Sequence, residues 1–71
     1  MNKYLVPVCD SDGSYICSVA ARSLAEAEDK FINELSDIYA IDKDFNNFDE
    51  FIKEALESDI VIGDIYDIDE F

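Results

Sequence analysis

Four residues, Asp10-Ser11-Asp12-Gly13, do most to limit how this chain can fold. They separate two runs, residues 3 to 9 and 14 to 21, that are rich in Val, Ile, Tyr and Cys. Such residues suit a pleated, half-buried surface, and Asp-Gly between two such runs is the strongest short-range hairpin signal. A two-residue turn centred on Asp12-Gly13 predicts pairing of Ser11 with Ser14, Cys9 with Ile16 and Val8 with Cys17. Side chains alternate across a strand, so this register gathers Tyr4, Val6, Val8, Cys17, Val19 and Ala21 on a core face. Lys3, Leu5, Pro7, Ser18, Ala20 and Arg22 fall on the other, mixed face. Cys9 and Cys17 are then on opposite faces, which argues against a disulfide between them. Pro7 has no N–H to give to a ladder, so it predicts either an edge position for the first strand or a nitrogen that points away from any partner.

Two helices follow. Ser23 with Glu26 three residues on forms a capping box, and Leu24, Ala27, Phe31, Leu35 and Ile38 recur at steps of three or four. The spacing predicts a helix from Leu24 to Tyr39, with Glu28, Asp29 and Glu34 on its other side and Lys30 able to pair locally. Asn47 with Glu50 is a second start signal. Phe48, Phe51, Ile52, Ala55 and Leu56 then predict a helix from Phe48 to Glu57.

The tail from Asp59 to Phe71 reads as a strand in two pieces, Ile60-Val61-Ile62 and Ile65-Tyr66-Asp67-Ile68, with Gly63 marking a bulge or kink. A short helix over Ile65 to Phe71 is the alternative. The fold class expected is two-layer α+β with the order ββααβ, an antiparallel sheet covered by helices on one face. At 71 residues the chain makes a single small domain, residues 1 to 71.

Charge decides which function classes remain. The chain has 18 Asp or Glu against 5 Lys or Arg and no His, a formal net charge of −13. Residues 24 to 71 hold 16 of the acids against three lysines, and that segment carries the whole net charge. At 49% hydrophobic residues the chain is too apolar to read as disordered. Direct binding to nucleic acid or an anionic membrane is disfavoured, because both need Lys and Arg to replace counterions. The longest apolar stretch in the tail, Ile60 to Ile62, is far short of a bilayer span, and no secretory signal follows Met1. The chain is read as a cytoplasmic protein with reduced thiols.

Catalysis finds little support. Without His, Ser-His-Asp and Cys-His arrangements are excluded, and two glycines make no phosphate-cradling loop. Carboxylate pairs such as Glu26 with Asp29, or Glu50 with Glu54, are expected by chance among so many acids. The segment from Asp42 to Asn47 offers oxygen ligands at the first three EF-hand positions. Asn47 then stands where the loop needs Gly, and Lys53 where it needs a bidentate Glu, so no metal site and no cofactor is expected. Cys17 reads as a small hydrophobe, and no cation near Cys9 in the sequence activates its thiol.

What remains is the acidic surface. A net charge of about 2 to 8 in magnitude is enough to keep a small domain soluble, and the excess here costs stability through self-repulsion. In the tail the acids are interleaved with apolar residues, as in Ile65-Tyr66-Asp67-Ile68-Asp69-Glu70-Phe71, the pattern of a binding rim around anchors. The candidate partner-binding residues are Asp49, Glu50, Glu54, Glu57, Asp59, Asp64, Asp67, Asp69 and Glu70, with Tyr66 and Phe71 as anchors. Carboxylates on a scaffold can stand in for phosphates, so the partner class is a basic nucleic-acid-binding protein.

In size, charge and α+β pattern the whole chain resembles the acidic inhibitors of phages and mobile elements, the anti-CRISPR and anti-restriction proteins, several of which are DNA mimics. That resemblance implies a non-enzymatic inhibitor in the bacterial host cytoplasm, acting on a CRISPR nuclease or a restriction enzyme. The hairpin before Ser23-Leu24-Ala25-Glu26-Ala27-Glu28 and the ending Asp67-Ile68-Asp69-Glu70-Phe71 are also similar to DpnD/PcfM-like proteins, from which this chain departs by its second helix. The alternative reading is a small protein-protein interaction module whose charge only solubilises it, including a homodimer formed through the third strand or a Pro7 edge.

Overall fold

The computed structural model describes the backbone of residues 1–70 and the side chains of residues 1–69. Strands β1 (Asn2–Asp10) and β2 (Gly13–Ala21) form an antiparallel hairpin. Helices α1 (Leu24–Ile38) and α2 (Phe48–Glu57) follow, then two short strands, β3 (Val61–Ile62) and β4 (Tyr66–Asp67), and a single 3₁₀ turn, Ile68–Glu70. β3 and β4 both pair antiparallel with β1, on the side away from β2. This is the expected α+β order with its last strand broken in two.

The hairpin turn lies one residue earlier than expected. Asp10 faces Gly13, so Ser11 and Asp12 are the central residues and Val6, rather than Val8, faces Cys17. Neither central residue has positive φ, whereas Gly13, the residue after them, has φ of 140°. Asp and Gly here take the first and last positions of a turn, their preferred places in type I, instead of the middle of a primed turn. The Asp10 carboxylate fixes this choice by accepting the Asp12 N–H at 2.8 Å. Because the pairing moved by two residues, each side chain kept its face, and Tyr4, Val6, Val8, Cys17 and Ala21 are buried as expected.

Pro7 is not on an edge, because β1 is the middle strand. Its carbonyl accepts the Gly63 N–H at 2.9 Å, so its ring nitrogen also faces the tail side. There the tail passes from β3 to β4 without ladder pairing, and the missing donor falls in the gap between them. Gly63 belongs to the same device: a Cβ on it would stand 2.6 Å from Pro7 Cγ.

Both helix starts form as expected. Ser23 Oγ accepts the Glu26 N–H at 3.2 Å, and Asn47 Oδ1 accepts the Glu50 N–H at 2.9 Å. In each case the Glu carboxylate reaches back to the N–H of the residue before the cap, Arg22 or Asn46. The helices lay Ala27, Phe31, Leu35, Phe48, Phe51 and Ala55 onto the sheet, where Ile60 and Ile62 complete the core. Phe48 bridges the helices, 6.5 Å from Phe31 and 6.2 Å from Phe51 between ring centroids. Phe45, from the connection, meets Phe51 edge-on at 5.1 Å.

The other sheet face has no helix on it. By strand alternation it carries Lys3, Leu5, Pro7 and Cys9 from β1, with Ser14, Ile16, Ser18 and Ala20 from β2. Val61 opposite Cys9 and Tyr66 opposite Leu5 extend it. The helical side is acidic, whereas the paired strand positions of this side include one charged residue, Lys3.

Candidate functional site

The acids expected to contact a partner are spread over two settings. Asp49 and Glu50 sit in the first turn of α2, where unsatisfied backbone N–H groups favour negative charge. Glu50 belongs to the cap, accepting the Asn46 N–H at 2.9 Å. Glu54 is half-buried and accepts from Lys43 Nζ at 2.6 Å. That hydrogen bond, then the charge of Glu54 and more weakly of Glu57, holds the Lys43 ammonium above its usual range. Glu57 and Asp59 are exposed at the helix end, Asp59 with φ of 62°, a left-handed conformation that Asp tolerates.

Asp49 and Asp64, from α2 and the tail, come together in a cleft of about 250 Å³ also lined by Glu28 of α1. Three elements thus bring one acidic residue each to a single depression whose lining also includes Leu24, Phe48 and Ile52. A second groove, of about 450 Å³, separates α1 from the 41–45 connection and is lined by Asp29, Asp42 and Asp44. Among the described residues no group of three or more His, Cys, Asp or Glu stands in a metal-holding arrangement. The segment Asp42 to Asn47 instead serves the fold through Lys43 on Glu54, Phe45 on Phe51 and the cap of α2.

The tail residues of the candidate set have settings of their own. Asp67 and Asp69 clip the tail to β1, Asp67 half-buried and Asp69 exposed. Asp67 accepts from Asn2 Nδ2 at 3.1 Å and from the Asp69 N–H at 3.0 Å, and Asp69 accepts the Lys3 N–H at 3.0 Å. Tyr66 is 47% exposed, but it sits opposite Leu5 on the sheet face turned away from the helices, apart from the α2 acids. Phe71 and the Glu70 side chain lie outside the described residues.

Among the described residues, two of the five basic side chains, Lys30 and Lys43, are paired with acids. Lys30 pairs with Glu26 at 3.3 Å and donates to the Ala20 carbonyl, and this ammonium is the main reason the Glu26 carboxyl lies below its ordinary range. Burial, with a contribution from Glu34, pushes the Cys17 thiol up and keeps it protonated and inert.

Sequence reasoning missed Glu28 as a member of the acidic cleft, because the meeting of α1, α2 and the tail is a tertiary event. The uncovered sheet face is as expected, since the two-layer reading puts helices on one face only. Its low charge is also legible: Gly13 to Ala21 is a nine-residue run without a charge in a chain that is 32% charged. No family model, no curated protein and no solved structure matches the chain. Among the described residues no helix is long and apolar enough to cross a membrane.

Proposed function

We propose that this protein is a non-enzymatic acidic inhibitor that occupies the basic groove of a nucleic-acid-binding effector, a CRISPR nuclease or a restriction enzyme, in place of nucleic acid. The observation that carries the reading is charge density. A net charge of −13 on a body whose longest dimension is 31 Å amounts to one charge per roughly 2.4 Å. Duplex DNA carries one per about 1.7 Å, or about 18 over the same length. Because 16 of the 18 acids lie on the helices, their connections and the tail while the outer sheet face is nearly uncharged, the field is directed to one side. Asp49, Glu57, Asp59 and Asp64 are the exposed acids of the predicted set with no side-chain hydrogen bond or ion pair among the described residues, and Glu28 joins them in the cleft.

Competition tests this directly. Labelled duplex is bound to a guide-loaded CRISPR nuclease or to a restriction endonuclease, and the protein is titrated in while anisotropy is followed. Displacement is expected at about 50 mM salt, with apparent affinity falling by roughly a thousandfold or more toward 200 mM. Joint substitution D49K, E57K and D64K should weaken displacement at least tenfold. A panel of such effectors that keep their DNA at low salt overturns the reading.

A further inference from the structure

We propose that the uncovered sheet face is a self-association surface, on which a second copy of this chain docks face to face. The proposal concerns the side of the molecule opposite the acids and stands independently of the inhibitor reading.

The observation behind it is the partition of charge. Leu5, Pro7, Cys9, Ile16, Val61 and Tyr66 share this face, with Ile16 65% and Val61 53% exposed. Contiguous exposed apolar surface of this kind marks an interface. With one cation and no anion at its paired strand positions, the face has little charge with which to select a hetero-partner. It needs a surface that is equally flat and uncharged, and among the described residues the surface with that character is the face itself.

Geometry allows the pair. Nine-residue strands are about 30 Å long, and three ladder positions span about 14 Å, so each face covers roughly 400 Å² in projection. Two stacked faces enclose roughly 800 Å² before side-chain relief is counted, below the roughly 1,200 Å² at which standard specific interfaces begin, so the dimer is weak and reversible. Stacked sheets lie about 10 Å apart, so the helical layers take the two outer sides, well beyond the Debye length of about 8 Å at physiological salt. Edge-to-edge pairing through β2 is the competing mode. It is disfavoured because α1 packs over β2 and would bring Glu34 and Asp37 of both copies together, while Lys30 already occupies the Ala20 carbonyl on that edge.

The test is sedimentation of the full chain across a concentration series at low and high salt, with Cys9 alkylation read in parallel. The expected result is a shift from the 8.1 kDa monomer toward a dimer that strengthens with salt, since like net charges oppose association. Binding to a basic effector has the opposite salt response, so failure of one reading does not imitate failure of the other. I16K and I16E should each weaken the dimer at least tenfold with unchanged far-UV circular dichroism, whichever sign of charge is introduced. V61K serves if either variant fails to fold. Alkylation of Cys9 should slow in the dimer, with buried Cys17 as the unreactive control. A monomer at every concentration and salt, a dimer indifferent to all three substitutions, or a Cys9 equally reactive in both states overturns the proposal.

Discussion

Phe51 and Leu56 belong to one apolar stripe in the sequence, yet they end in different places. At about 100° per residue, Phe48, Phe51 and Ala55 cluster on one side of α2, while Leu56 lies roughly 100° from their centre. Phe51 is fully buried and Leu56 is 57% exposed. F51A is expected to cost about 3–5 kcal/mol, which consumes the stability of a domain this small, whereas L56A should stay within about 0.5 kcal/mol. Urea unfolding followed by circular dichroism measures both. Pro7 and Gly63 make a second residue-scale case, because the glycine is required by its neighbour's ring and not by its own backbone. G63A should destabilise clearly in the natural chain and much less when combined with P7A. Additive losses in that double-mutant cycle would show that the ring is not the obstacle.

At the scale of elements, the hairpin turn is held by contacts made far from it in sequence. Asp10 accepts from Tyr39 Oη at 2.6 Å, and Tyr15 and Tyr39 share a hydrogen bond of 2.8 Å, so the turn is tied to the end of α1. The Tyr39 bond, then the Asp12 N–H, lowers the Asp10 carboxyl below its ordinary range. Burial first, and the Asp10 bond second, pushes the Tyr39 hydroxyl above its own. A carboxyl depressed in the folded state adds stability above its unfolded value of about 3.9 and loses it as pH falls through the lower folded value. The melting temperature of the natural chain should therefore exceed that of D10N at neutral pH, and the gap should close as the pH falls through the lowered folded value. A gap that persists in acid would separate the ionised carboxylate from the effect. Gly13 tests the turn position: G13A forces an alanine to φ of 140° and should cost about 1–3 kcal/mol, while S11A should be nearly neutral. Equal losses would place the strain elsewhere. Loss of a cap by N47A, about 1 kcal/mol in urea unfolding, should match loss by S23A, because the two caps bond alike.

Over the whole molecule, a radius of gyration of 11.6 Å is close to the roughly 11 Å expected of a compact chain of this length. Such compactness brings many like charges close together. Added salt at neutral pH should raise the melting temperature by several degrees, since about 1 kcal/mol corresponds to 4–8 °C in a domain of this size. A thermal scan that is flat in salt would mean that the acids are too far apart to repel. The same repulsion sets the scale for both proposed surfaces, since it favours a basic partner on the helical side and opposes association with a second copy until salt screens it.

Local signals in the sequence determined the helix starts at Ser23 and Asn47, the face assignment of every hairpin residue, the break at Gly63 and the acidic character of everything behind residue 23. These follow from short-range chemistry: side chains that bond their own backbone, alternation along a strand, and composition. Tertiary structure alone decided the rest. It moved the turn to Ser11-Asp12, placed β1 between β2 and the tail, turned Asp67 and Asp69 into clips, and gathered Glu28, Asp49 and Asp64 in one cleft. Each of those outcomes depends on which distant segment supplies the partner for a backbone or carboxylate group, and nothing in the local pattern encodes that choice.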